Sequence, residues 1–220
     1  MSTGELQAVL FDMDGTLLDS EKLWEVGLQD LCAHLGGELS RAAREGLVGM
    51  DQTSSMWLVH RDLGLSTDGV DASAAWLETR MAELFAQGVV WRPGARELLA
   101  EVRAAGLPTA LVTATVRRLV DVIIDTVGPE NFDVTVCGDE VARNKPSPDP
   151  YLEAARALNV APGACVAIED SPTGTTSARE AGCQVLTVPS ETAVPPAERV
   201  AFRESLIDVN VPLLRSLIRE

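Results

Sequence analysis

Residues 6–11, LQAVLF, make a short apolar run between polar residues and a glycine turn, the pattern of a buried strand. After Glu21 the spacing becomes helical. In SEKLWEVGLQDLCAHLGG the apolar residues recur at helical intervals, Ser20 stands as an N-cap, and Gly36-Gly37 ends the run. Further helices are predicted over 39–46, 51–63 and 71–87, with breaks at 46–50 and 64–69, so residues 19–90 read as one all-helical block.

After WRPGA the rhythm alternates. A helix over 94–105 ends at Gly106, PTALVTAT holds a strand, and 115–127 is a helix. FDVTVCG, CVAIED and QVLTVP hold strands, separated by helices over 149–158 and 173–181, the latter ending at Gly182. ESLIDV and PLLRSLIR predict one more strand and helix. NKPSPDP and PSETAVPPAE are proline-rich loops, and no internal repeat or heptad is present. Short β-branched strands alternating with amphipathic helices define an α/β fold, a three-layer Rossmann-like parallel sheet. Residues 1–18 and 91–220 form this core, and the helical block at 19–90 is an insertion after the first strand.

The length of 220 residues suits one domain with an insertion. With 18 Lys and Arg against 33 Asp and Glu, the net charge is −15, which repels nucleic acid and anionic membrane surfaces. An anionic small substrate therefore needs local positive charge, from a metal ion or a well-placed lysine. The start, MSTGELQ, resembles no secretory leader, and no run approaches the ~18 apolar residues of a membrane span, so a cytoplasmic location is expected. Cys32, Cys137, Cys165 and Cys183 show no CxxC pairing and suit buried fillers in a reducing compartment. The two histidines, His34 and His60, lack partners at ligand spacing and read as packing or surface residues.

In open α/β sheets the working site lies at the carboxyl ends of the strands. Four such ends carry chemistry here: Asp12 and Asp14 after the first, Thr113 after ALV, Lys145 beyond VTVCG, and Glu169 with Asp170 after VAI. Converging carboxylates raise one another's pKa or require a cation between them. Four acids and one lysine in a crevice suit a hard divalent ion with oxygen ligands, and Mg2+ is the expected cofactor. A dinucleotide fingerprint and a P-loop are both absent.

FDMDGTLLDSE, LVTAT, NKPSPDPYLEAARAL and VAIEDSPTGTTSAREAG together resemble the four motifs of the haloacid dehalogenase superfamily, in the branch of sugar-phosphate phosphatases and β-phosphoglucomutases. The resemblance spans nearly the whole chain, with residues 19–90 as a helical cap. It implies that Asp12 is a nucleophile carrying an aspartyl-phosphate, and that Asp14 is the general acid and base with its main-chain carbonyl on the metal. It further implies that Thr113 and the Ala114 amide hold phosphate oxygens, and that Lys145 neutralises the transferring group. Asp170 would ligate Mg2+, with Glu169 acting through water or holding Lys145. Gly15 permits the turn, Thr16 supports it by hydrogen bonding, and Asp19 takes a structural role.

Within the cap, GLVGMDQT at 46–53 reads as the specificity loop, with Gly49 and Gln52 as substrate-binding residues. Val48, Met50 and Trp57 read as packing residues. β-Phosphoglucomutases carry a lysine and an arginine in this loop and a histidine after the first motif, where this chain has Val48, Gln52 and Trp24. The loss of those cations favours hydrolysis over mutase chemistry. The expected activity is that of a monomeric, Mg2+-dependent phosphatase of small phosphomonoesters. A phosphomutase is the near alternative, and a receiver-type phospho-acceptor module the distant one.

Overall fold

The computed structural model describes residues 4–47, 52–190 and 192–218. The chain divides into two compact units, Met1–Asp19 with Val89–Glu220, and Ser20–Gly88. The first unit is built on a parallel sheet of six strands among the described residues: β1 (Ala8–Phe11), β2 (Thr109–Val112), β3 (Val134–Val136), β4 (Cys165–Glu169), β5 (Gln184–Thr187) and β6 (Val200–Phe202). Their order is β3-β2-β1-β4-β5-β6. The chain winds outward from β1 through β2 to β3, returns to the other side of β1, and winds outward again. That reversal between β1 and β4 is the switch point at which such sheets open a crevice at their carboxyl ends. Phe11 pairs with Leu111 and with Ile168, so Asp12 stands level with Val112 and Glu169.

Among the described residues five α-helices accompany this sheet: α5 (Ala95–Ala104), α6 (Arg117–Val127), α7 (Asp149–Ala157), α8 (Pro172–Ala181) and α9 (Val211–Leu217). Ala8, Leu10, Ala110, Val112 and Ala167 share one core with Tyr151 and Ala154 of α7 and Ala178 of α8. The residues of opposite parity, Val9, Phe11, Leu111 and Ile168, are buried as well. Leu98, Leu99, Leu119, Ile123 and Leu214 are among the buried residues of α5, α6 and α9, which supply the second helical layer. Ser171 caps α8 by accepting from Gly174 N at 3.1 Å, and Pro172 fills the first helical position. The four cysteines are free and buried, and burial pushes the thiols of Cys137 and Cys165 up to about 12.

The second unit holds α1 (Glu21–His34), α2 (Arg41–Leu47), α3 (Gln52–Asp62) and α4 (Val70–Phe85). The buried faces are Gly27 and Leu31 on α1 and Leu77, Met81 and Leu84 on α4, and Trp24 meets Phe85 edge-on at 6.0 Å. His60 is buried between Ser66 O, 2.7 Å from Nδ1, and Ser73 Oγ, 2.8 Å from Nε2. A carbonyl can only accept, so Nδ1 carries the proton and Nε2 accepts from Ser73. His34 stacks on Trp76 at 4.7 Å. Among the described residues no helix is long and apolar enough to cross a membrane.

Three local expectations give way. The strand expected in ESLIDV does not form; the last strand is β6, and residues 204–209 turn instead. Leu206 and Val209 are buried there because the turn lies against Gly94, where a Cβ would overlap the backbone of Leu206 and Ile207. Leu206 and Val209 are buried three positions apart while Ile207 between them is 66% exposed, a spacing that a turn gives and an alternating strand does not. Ser20 occupies the N-cap position of α1, but its backbone is helical and its side chain makes no capping bond. Trp57 is not packed away: it is 49% exposed on α3.

Candidate active site

Asp12 follows β1, and its amide continues the ladder by donating to Ile168 O at 3.0 Å. Its Oδ1 accepts from Lys145 Nζ at 2.7 Å. The same ammonium donates to Glu169 Oε1 at 2.7 Å and to Val112 O at 2.9 Å, so its three hydrogens are all used and its position is locked. Asn144 steadies the loop that carries it, donating from Nδ2 to Ala114 O at 2.9 Å and accepting from Lys145 N at 2.7 Å. Glu169 ends β4 fully buried. Its Oε1 also accepts from Tyr151 OH at 2.5 Å, and its Oε2 accepts from Ser171 Oγ at 3.4 Å. Gly174, in the first turn of α8, leaves the room this carboxylate occupies, since a Cβ there would overlap it. Asp170 Oδ2 accepts from Ser190 Oγ at 2.5 Å.

Asp14 follows β1 in an isolated bridge to Leu18, and Gly15 opens the turn between them with φ of 78°. Its Oδ2 accepts from Thr115 Oγ1 at 2.7 Å and from Thr113 Oγ1 at 3.3 Å. Two acids one residue apart are thus held by different partners, Asp12 by an ammonium and Asp14 by hydroxyls.

Burial pushes the Asp12 carboxyl well above the usual carboxylate range; Lys145 opposes this, while Glu169 and Asp170 reinforce it. Burial alone would lower the Lys145 ammonium, but the Asp12 and Glu169 carboxylates outweigh it and hold its pKa above the ordinary lysine value. Three buried acids thus face one buried ammonium. Oxygens of Asp12, Glu169 and Asp170 come within 4.8 Å of one another. Asp12 Oδ2 is buried without a hydrogen-bond partner. An orphaned carboxylate oxygen within an all-oxygen donor set fits a hard divalent cation, and Mg2+ suits a site with so few protein ligands.

The structure brings Asp12, Lys145, Glu169 and Asp170 into one cluster, with Thr113 bonded to Asp14 beside it. Ala114 is exposed at the end of the β2 loop. Oδ2 of Asp14 is turned to the threonines. Gly49, Val48 and Met50 lie outside the described residues, and Gln52 is the first residue of α3. Thr16 departs from its expected role: its Oγ1 is buried and makes no hydrogen bond. Thr115, Asn144, Tyr151 and Ser190 take part in the site without having been picked out. Thr115 follows the strand end at Thr113 by two residues, a usable signal. Ser190 lies in a proline-rich loop with no periodicity to point to it.

Residues 9–188 match the model of the haloacid dehalogenase-like hydrolases. The protein CbbY of Rhodobacter capsulatus is 36% identical over 198 residues, covering 85% of this chain and 87% of its own. Hexitol phosphatase A of Escherichia coli K12 is 35% identical over 186 residues, covering 81% of each. A CbbY variant from Rhodobacter sphaeroides, solved in complex with xylulose-(1,5)bisphosphate, superposes with a TM-score of 0.81 at 29% identity, over 95% of this chain and 99% of its own. The sheet order and the acidic crevice with its lysine are those of a hydrolase of the α/β class. The chain belongs to the haloacid dehalogenase-like hydrolase family.

Proposed function

We propose that the chain is a Mg2+-dependent phosphomonoesterase that acts on a small phosphorylated sugar or polyol through a phosphoryl group carried on Asp12. One observation carries the reading: Lys145 pins Oδ1 of Asp12 while Oδ2 is buried with no hydrogen-bond partner. A carboxylate so oriented, at a strand end in the switch-point crevice, is prepared for attack on phosphorus. Asp12, Asp170 and the Asp14 main-chain oxygen would hold Mg2+, with Glu169 behind them on Lys145. When bound, the ion keeps Asp12 ionised and offsets the charge of the phosphate oxygens.

An Asp12 oxygen forms a bond to phosphorus, the bond to the leaving oxygen breaks, and Asp14 gives that oxygen its proton. Water then attacks the phosphorus, Asp14 takes a proton from it, and the Asp12–phosphorus bond breaks, which restores the free carboxylate. Lys145 offsets the negative charge at Asp12, and Thr113 with the Ala114 amide binds phosphate oxygens. Gly49 and Gln52 are assigned to substrate choice. The relatives named for hexitol phosphate and found with a ketose bisphosphate support a carbohydrate phosphate as substrate. Val48, Gln52 and Trp24, standing where mutases carry cations, favour water as the final acceptor.

The test is a phosphate-release screen over hexose, pentose and hexitol phosphates, phosphoglycolate and nucleotides. Release that requires Mg2+ and falls more than about a thousandfold in Asp12→Asn is expected. Isomerised sugar phosphate without free phosphate, or turnover surviving EDTA, contradicts the reading.

A further inference from the structure

Asp14 lies beyond β1 in an isolated bridge to Leu18, so the ladder that fixes Asp12 does not fix the Asp14 side chain. Thr115 Oγ1 does so, donating to Oδ2 at 2.7 Å. Thr113 is the weaker partner at 3.3 Å, and its hydroxyl also accepts from Thr115 N at 3.0 Å. Thr115 is itself held on both sides, since its carbonyl accepts from Gly138 N at 3.0 Å. It is only 8% exposed, and its branched Cβ restricts its rotamers. The hydroxyl aimed at Asp14 is therefore a rigid one.

We propose that Thr115 is the positioning residue for proton transfer by Asp14, holding its carboxyl group in one orientation. With Oδ2 accepting from Thr115, rotation of the Asp14 carboxyl group is restrained, which sets the orientation from which it acts. The inference rests on the phosphatase reading, in which the bond from phosphorus to the leaving oxygen breaks as Asp14 supplies the proton. Need for that proton depends on the leaving group: p-nitrophenolate departs readily without it, whereas the more basic phenolate does not. Loss of Thr115 should therefore penalise the two esters unequally.

The experiment compares kcat/KM of the full chain with Mg2+ on p-nitrophenyl phosphate and phenyl phosphate, esters of nearly the same shape. Thr115→Val is expected to lower kcat/KM about tenfold on phenyl phosphate and less than about threefold on p-nitrophenyl phosphate. Thr115→Ser, which keeps the hydroxyl, is expected to restore both. Should Thr115→Val fail to fold, Thr115→Ala carries the same comparison. Equal losses on the two esters, or no loss, overturn the role of Thr115 and leave the phosphatase reading intact. A wild-type chain that releases phosphate from neither ester, nor from any substrate in the wider screen, overturns the phosphatase reading and this inference with it.

Discussion

Lys145 concentrates the electrostatics of the site in one side chain. Its ammonium bonds Asp12, Glu169 and the Val112 carbonyl, and lies 5.2 Å from the centre of the Tyr151 ring. Replacing it with methionine keeps the stem and strands two buried carboxylates without their cation. Breaking a buried pair from one side costs about 3–5 kcal/mol, so Lys145→Met should lower the urea midpoint by that equivalent and abolish turnover. An unchanged midpoint would mean that the carboxylates find other partners. Asp12, Glu169 and Asp170 were legible in the sequence because they stand at the ends of unambiguous apolar strands, and Lys145 because it lies in the proline-stiffened loop beyond VTVCG. Ser190 was not, since its hydrogen bond joins residues 20 positions apart and no local pattern announces it; Thr115 was missed although it lies two residues past Thr113, because its bond reaches a residue 101 positions away. Thr16 shows the opposite error, a hydroxyl expected to tie the turn that is buried without a hydrogen bond.

Among the elements, the contact of α5 with β2 and β3 turns on Asp133. Its Oδ2 accepts from Arg103 Nη1 at 2.6 Å and from Thr109 N at 2.9 Å. Partial burial pushes the carboxyl up, but the Thr109 amide and Arg103 together outweigh it and hold the pKa below the ordinary 3.8. A carboxyl depressed in the folded state stabilises the fold when ionised, and that contribution disappears as pH falls through the folded value. Asp133 is partly exposed, so solvent screens the pair. Asp133→Asn should cost about 0.5–1 kcal/mol at pH near 7, read as a lowered thermal midpoint. The gap to wild type should close as the pH is taken below 3.8; a gap independent of pH would assign the effect to shape rather than charge. β1, β2, β4 and β5 were readable as elements because they are almost entirely buried. β6 was not, since its three residues follow the proline-rich loop PSETAVPPAE and the richer apolar pattern after it belongs to a turn.

For the molecule as a whole, a net charge of −15 and a phosphate ester as substrate are reconciled only locally. The sheet order places the β1 and β4 ends side by side, and there three acids share one buried ammonium and a partnerless oxygen. The α/β class was legible because strand and helix spacings alternate cleanly, and the site because four strand ends carry its chemistry in chain order. Substrate choice was assigned to the loop at 46–53, where Gly49 breaks the helical pattern, and residues 48–51 of that loop lie outside the described residues. The central claim is that Asp12 takes the phosphoryl group. Acid-quenching the chain during turnover of p-nitrophenyl phosphate with Mg2+, followed by peptide mass spectrometry, tests it directly. The account predicts one phosphoryl group on the peptide that contains Asp12 and none in Asp12→Asn. Turnover that leaves that peptide unmodified, and that continues in Asp12→Asn, would contradict it.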